Sequence, residues 1–336
     1  MSDGHQTPGA TVAPALAEIQ FPIRERLDQV PDEMWRIVSD PGDDLIREVS
    51  RHLMGMRGKL LRPTLTLLAS SIEGTPEPRA VPLAAVGELI HLATLVHDDS
   101  VDHSPLRRGR PTVNALFTHQ VAVIFGDHLY ARAVSELARL DDLEPIRVLS
   151  IASASMTLGE LRQLASYDAL AFTEAEYDRL IQAKTASLLG AVCEVGALAG
   201  ASAHRGAMRR FGERLGMAFQ IADDLLDYTA EAAVTGKPSG LDLREHKVTL
   251  PLIAALREMS PAARGRVEVL FADPTPSDAL IEEVVGIVTE CGGLEYARQR
   301  GDRFAQEAEE ALATLPAGPV RTSFTDTLSY VLDRRW

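Results

Sequence analysis

Residues 81–101 read VPLAAVGELIHLATLVHDDSV. Ala85, Leu89, Leu92 and Val96 recur at steps of three or four and form one stripe of an α-helix. The same segment ends abruptly in carboxylates: Asp98, Asp99 and, one residue past it, Asp102. An apolar helix that runs straight into a group of aspartates has a buried shaft and a charged end. The rest of the chain repeats that grammar.

Moving outward, Ala and Leu dominate and alternating β-branched runs are nearly absent. Thr173-Glu174-Ala175-Glu176 is a capping box opening the helix that carries Lys184. Ser260-Pro261 sets proline at a first helical position. Gly74–Pro78, Gly236–Gly240 and Asp273–Pro276 are breaks. These punctuate about ten to thirteen helices with mostly short connections. We therefore expect an all-α fold, one large helical bundle spanning 21–336. The Gly-, Pro-, Thr- and Ala-rich residues 1–20 read as a flexible tail.

Composition narrows the function. The chain has 34 basic and 48 acidic residues, a net charge of −14, so phosphate backbones are repelled and nucleic-acid partners are not expected. Only 5% of residues are aromatic, which disfavours a base-stacking surface. Two cysteines, Cys193 and Cys291, exclude a disulfide scaffold and suit a reducing compartment, so a cytoplasmic protein is expected. The most apolar run, Leu188–Ala203, is interrupted by Glu194 and falls short of a membrane span. The N-terminus lacks the basic and apolar regions of a secretory signal.

The aspartates occur as two copies of one pattern, Asp98-Asp99-x-x-Asp102 and Asp223-Asp224-x-x-Asp227. In each, carboxylates at i and i+4 share a helix face, where like charges destabilise the helix unless a cation compensates. Both lie in apolar surroundings, which raises the cost of an unpaired carboxylate. Converging hard oxygen ligands suit Mg²⁺, which binds one or two protein carboxylates and leaves its other positions to water and substrate phosphate.

Each acidic cluster precedes a Gly/Pro loop with basic residues. Arg107-Arg108-Gly109-Arg110-Pro111 presents three guanidiniums in a rigid loop suited to bidentate phosphate contacts. Lys237 and Lys247 bracket the loop after the second cluster, and Lys59 and Arg62 share a face at another helix start. His91 lies seven residues before Asp98 on a similar face, with no partner at zinc-ligand spacing. His97, His103 and His128 read as satisfied core or rim residues. No nucleophile elbow, P-loop or dinucleotide fingerprint is present.

Together, GKLLRP (58–63), ELIHLATLVHDDSVDHSPLRRGRPT (88–112), GDHLYARA, KTASLL, FQIADDLLDY, GKPSGLDLREHKVTLP and the terminal YVLDRRW resemble the trans-polyprenyl diphosphate synthase family, the head-to-tail isoprenoid chain elongators. The resemblance implies a single all-α bundle around a deep cavity, and a homodimer. It implies that Asp98, Asp102 and Asp223 hold three Mg²⁺, with Mn²⁺ as a substitute, on the diphosphate of an allylic primer, supported by Asp99, Asp224, Asp227 and Asp242. Arg107, Lys184 and Lys237 would contact that diphosphate, with Thr185, Gln220 and Lys247 nearby. Lys59, Arg62, His91 and Arg108 would hold isopentenyl diphosphate.

Metal and basic side chains would stabilise the departing pyrophosphate, so that the allylic C–O bond ionises and the isopentenyl double bond attacks the cation. The wall that limits product length is expected at Ala93 and Thr94, with Ile90 deeper. Small residues there look like the C30–C45 synthases that supply quinone side chains and hand product to the membrane; a C15–C25 product is the alternative. Leu60 stands where the family carries a basic residue, and His246 where it carries glycine. Two rival readings are a class I terpene cyclase and a non-catalytic subunit of a heteromeric synthase. The first needs only one aspartate-rich motif and no Lys59, Arg62 and His91 set; the second typically loses its aspartates.

Overall fold

The computed structural model describes residues 15–332 except 41, 57, 108, 165–168 and 230–239. Among these, fourteen helices run eight residues or longer. They are α1 Val30–Val38, α2 Asp44–Gly55, α3 Leu61–Ser70, α4 Ala80–Val101, α5 His119–Arg139, α6 Leu143–Leu164, α7 Glu174–Ile181 and α8 Ser187–Gly200. There follow α9 Arg205–Thr229, α10 Leu250–Glu258, α11 Pro261–Ala272, α12 Asp278–Glu290, α13 Gly293–Leu312 and α14 Pro319–Leu332. The fold is all-α. A two-stranded hairpin, Leu106–Arg107 with Arg110–Pro111, supplies the strand pairing among the described residues, and Gly109 turns it with φ at +74°.

Local signals account for most boundaries. Thr173 caps α7 and closes its capping box with Glu176; Ser260 caps α11 ahead of Pro261. More helices appear than the breaks suggested, because α12 and α13 are joined only through Cys291 and Gly292, the glycine at φ +74°. Part of the stretch expected to be a flexible tail is ordered, the rest, 1–14, lying outside the described residues. Leu16–Ile19 already forms a helical turn, and Ile19 is fully buried in the core.

The stripe read in α4 understates its burial. From Ala80 to Ile90 nearly every face is covered, and by length and composition α4 is apolar enough to cross a bilayer, although two-thirds of its apolar window is buried inside the bundle. Such a helix is the central strut of the core. Among the described residues it, rather than Leu188–Ala203, is the helix that meets the length and hydropathy of a membrane span.

The other helices pack on α4 and on one another. α3 packs between α4 and α8, α9 packs on α8, α5 pairs with α4, and α13 runs along α9. The α3–α8–α9 layer is unusually tight. A Cβ on Gly196 of α8 would sit 2.2 Å from the Thr66 carbonyl oxygen of α3, and one on Gly212 of α9 would sit 2.3 Å from the Leu189 carbonyl oxygen. Only glycine permits these backbones to touch. α4 and α9 thereby become facing walls, and the space between them is the site.

Candidate functional site

A cavity of about 590 Å³ opens between α4, α6 and α9, within the range of small-molecule sites. α4 contributes His91, Thr94, Leu95, His97 and Asp98, with Asp102 at its C-cap; α9, opposite, contributes Phe219, Gln220 and Asp223; α6 contributes Met156, Thr157, Glu160 and Gln163. The segment Gly58–Arg62, Glu88, Val101, Arg107 of the hairpin, Lys184, Thr185, Leu188, Lys247 and Tyr330 complete the lining.

Each aspartate in the first cluster has its own surroundings. Asp98 and Asp102 face the cavity. Asp99 turns away, 6% exposed, and its carboxylate takes a two-pronged contact from the Arg107 guanidinium, with Nε at 2.8 and 3.0 Å and Nη2 at 2.8 Å. This pair ties the hairpin to the end of α4. Burial pushes the Asp98 carboxyl up to about 6; Lys184 and Arg107 pull it back, while Glu160 and Asp102 push it further up.

In the second cluster only Asp223 lines the cavity. Asp224 is 5% exposed and accepts hydrogen bonds from the Tyr177 hydroxyl at 2.5 Å and the Gln220 amide at 2.9 Å. Burial drives its pKa to about 8 despite both donors, with Asp242 adding repulsion. Asp227 points to the chain that follows and accepts the backbone N–H groups of Leu241 at 3.1 Å and Asp242 at 3.0 Å. It is a cap for the turn Leu241–Arg244, so the expected face shared with Asp223 is not a pair of cavity carboxylates. Asp242 lies behind the wall, pushed to about 7 by burial and then by Asp227, with Lys247 opposing.

The cations arrive by separate routes. Lys184 and Thr185 sit on a π-helical turn, Gln182–Ala186, inserted between α7 and α8. The wider turn rotates these two side chains into the cavity, a frequent use of such insertions. Lys184 reaches Glu160 at 2.5 Å and the Gln163 oxygen at 3.5 Å. Thr185 donates to the Gln220 side-chain oxygen at 2.8 Å. Lys247 pairs with Glu245 at 2.6 Å, and its N–H binds the Asp242 carbonyl at 2.7 Å. Arg110 does not enter the site: its Nη1 donates to the Gly55 carbonyl at 2.8 Å and, with His52 against the Pro111 carbonyl at 2.9 Å, pins the hairpin to α2.

Of the residues singled out in the sequence, the structure brings Lys59, Arg62, His91, Thr94, Asp98, Asp102, Arg107, Lys184, Thr185, Gln220, Asp223 and Lys247 into this one cavity. Ala93 and Ile90, each 2% exposed, belong to the packed core and do not line it; of the three positions expected to form the wall, Thr94 lines the cavity. Arg108 and Lys237 lie outside the described residues. Glu160, Gln163, Met156 and Tyr177 were not anticipated. Glu160-x-x-Gln163 carried a helical-face signal that went unread, whereas nothing in the sequence links Tyr177 to Asp224. Both departures have a structural setting. Leu60 and His246 are left-handed, at φ +51° and +54°, and His246 is held there by the Asp273 carbonyl at 3.0 Å and the Phe271 ring. A glycine would adopt that conformation freely.

Among the described residues no three acidic, histidine or cysteine side chains converge tightly enough to hold an ion by themselves. Carboxylates on facing walls, Asp98 half-buried and Asp102 and Asp223 exposed to the cavity, with cations around them, instead fit a metal whose remaining positions are filled by water and a diphosphate. An all-α bundle enclosing such a cavity belongs to the class of enzymes that bind and activate diphosphate esters.

The chain belongs to the polyprenyl synthetase family, whose profile matches residues 43–288, and it is a prenyltransferase. It is 40% identical over 292 residues to an all-trans-nonaprenyl-diphosphate synthase (geranyl-diphosphate specific) of Rhodobacter capsulatus, covering 86% of this chain and 89% of that one. The crystal structure of a decaprenyl diphosphate synthase from Rhodobacter capsulatus superposes with a TM-score of 0.90 at 37% identity, covering 96% of this chain and all of that one. A polyprenyl synthase from Caulobacter crescentus CB15, complexed with calcium and isoprenyl diphosphate, superposes with a TM-score of 0.90 at 31% identity, covering 97% of this chain and 100% of that one.

Proposed function

We propose that this chain condenses isopentenyl diphosphate with an allylic diphosphate, farnesyl or geranylgeranyl diphosphate, to give an all-trans product of C30–C45. The observation that carries the reading is the single cavity in which Asp98 and Asp102 face Asp223 amid Lys59, Arg62, Arg107, Lys184 and Lys247. Three Mg²⁺, with Mn²⁺ as a substitute, would be held by Asp98, Asp102 and Asp223 together with the primer diphosphate. When bound they supply Lewis acidity that stabilises the departing pyrophosphate.

The chain's own residues supply the rest. Lys184, Arg107 and Lys247 neutralise the leaving group, which lets the allylic C–O bond break heterolytically. Lys59, Arg62 and His91 hold isopentenyl diphosphate with its double bond toward the resulting cation. A new C–C bond forms, and the proton lost from the isopentenyl unit passes to pyrophosphate, so no side-chain nucleophile is needed. Leu95, Leu188 and Phe219 line the apolar part and keep water from the cation. Thr94, small and on the lining, leaves the path of the growing chain open, which supports the longer product, as does the nonaprenyl chemistry named for the Rhodobacter relative.

A homodimer is part of this reading. α6 exposes Ile151, Leu158 and Leu161 along one side, at 65%, 53% and 58%, and α5 exposes Ile124 at 67%. A row of apolar side chains of this kind suits a protein partner. We place the enzyme in the cytoplasm, consistent with two free cysteines, with its product passed to a membrane. The test is incubation with farnesyl diphosphate, isopentenyl diphosphate and Mg²⁺ followed by mass spectrometry. A ladder reaching C30 or beyond is expected. Primer converted only to hydrocarbon, without elongation, overturns the synthase reading; a ladder ending at C20 overturns the length.

A further inference from the structure

The segment that opens α3 is held in an unusual state. Leu60 caps that helix at φ 51°, ψ 40°, a left-handed conformation that a branched side chain adopts only when its surroundings impose it. The surroundings come from both ends of the chain. From the N-terminal side, the Gln20 amide nitrogen donates to the Lys59 carbonyl at 3.2 Å and to the Thr64 hydroxyl at 2.9 Å, and that hydroxyl donates to the Leu60 carbonyl at 2.8 Å. Gln20 is itself fixed by its fully buried neighbour Ile19 and by Ile23, 1% exposed. From the C-terminal side, α14 brings the Tyr330 ring under the Lys59 ammonium, 5.3 Å from nitrogen to centroid. Tyr330 is 2% exposed and shares the cavity lining with Lys59 and Leu60.

These contacts solve a particular problem. A lysine that a ligand must order loses rotamer entropy on binding. An aromatic face orders an ammonium group ahead of an incoming anion and adds no formal charge of its own. Gln20 fixes the backbone and Tyr330 fixes the tip of the same side chain.

We propose that Gln20 and Tyr330 are positioning residues for the isopentenyl diphosphate half of the site, acting through Lys59 and setting the affinity for that substrate without touching the allylic half. The inference rests on the assignment of Lys59 to isopentenyl diphosphate above. It also gives residues 15–23, outside the stretch matched by the family profile, a role in the reaction.

Steady-state kinetics on the full chain, varying each substrate at saturating levels of the other, tests it. Gln20→Ala and Tyr330→Leu are expected to raise KM for isopentenyl diphosphate about five- to tenfold, the range of one lost cation–π or polar anchor. KM for farnesyl diphosphate and kcat should stay within about twofold of wild type. Tyr330→Phe, which keeps the ring, should raise the isopentenyl KM far less than Tyr330→Leu does. If Lys59→Ala leaves the isopentenyl KM unchanged, the half-site assignment falls. If Lys59→Ala raises it while Gln20→Ala does not, the positioning role alone falls. Equal rises in both KM values overturn it as well, as does a Tyr330→Phe variant as weak as Tyr330→Leu. Gln20 carries the test independently should Tyr330→Leu fold poorly.

Discussion

Asp98 and Asp224 show how differently neighbouring letters of one motif are used. Asp98 faces the cavity, and replacing it with alanine should lower turnover about 10²–10³-fold, the usual loss when one electrostatic stabiliser is removed; a steady-state assay reads this directly. Asp224 is sealed behind the wall with Tyr177 and Gln220 as donors. Tyr177→Phe should cost about 1–3 kcal/mol of stability by leaving a buried acceptor underpaired, measurable by urea denaturation. The aspartates also set a pH dependence. Asp98, Asp242 and Asp224 are raised to about 6, 7 and 8 from a usual 3.8. A carboxyl that holds its proton more tightly when folded stabilises the fold below its unfolded pKa, and that stabilisation is lost as pH climbs through the folded value. Metal-free protein should therefore melt at a lower temperature at about pH 9 than at about pH 6. Mg²⁺ with pyrophosphate should shrink that difference, because bound cations favour the ionised carboxylates. An unchanged or opposite trend in a thermal scan would refute this.

At the scale of elements, the site depends on helices brought together at backbone distance. Gly212→Ala would drive a methyl into the Leu189 carbonyl and push α9, which carries Gln220 and Asp223, away from α8. A loss of about 1–3 kcal/mol is expected, with activity falling at temperatures where the fold is still intact, followed by circular dichroism and assay together. α4 sets the depth of the site. Thr94→Phe should block the cavity and shorten the product, whereas Ala93→Phe should mainly disrupt the core, since Ala93 is 2% exposed and off the lining. Product sizing with a parallel melting curve separates the two. The caps at Thr173 and Ser260 were legible because each is a contact within four residues. The π-turn that delivers Lys184 and Thr185 was not, since nothing in QAKTA distinguishes it from ordinary helix.

For the molecule as a whole, the apolar row on α6 is the feature that reaches beyond one chain. Ile151→Glu with Leu158→Glu should give a species of half the mass by light scattering, with the isolated fold retained, if the row is a subunit interface. The sequence alone determined the helical class and the two aspartate clusters with their basic companions, and the resemblance of its motif strings raised the expectation that Lys59, Arg62, His91, Lys184 and Lys247 share one site. Each of these is written in periodicity, in short spacings or in a motif string. Only tertiary structure decided which carboxylates face the cavity and which serve as a pair with Arg107 or a cap for Leu241–Arg244. It also turned Ala93 and Ile90 into the core and joined Gln20 and Tyr330 at Lys59. The physical reason is the same throughout. A side chain's chemistry and its local backbone are fixed by near neighbours, but its burial, its pKa and the partner it meets depend on residues far along the chain that only packing brings near.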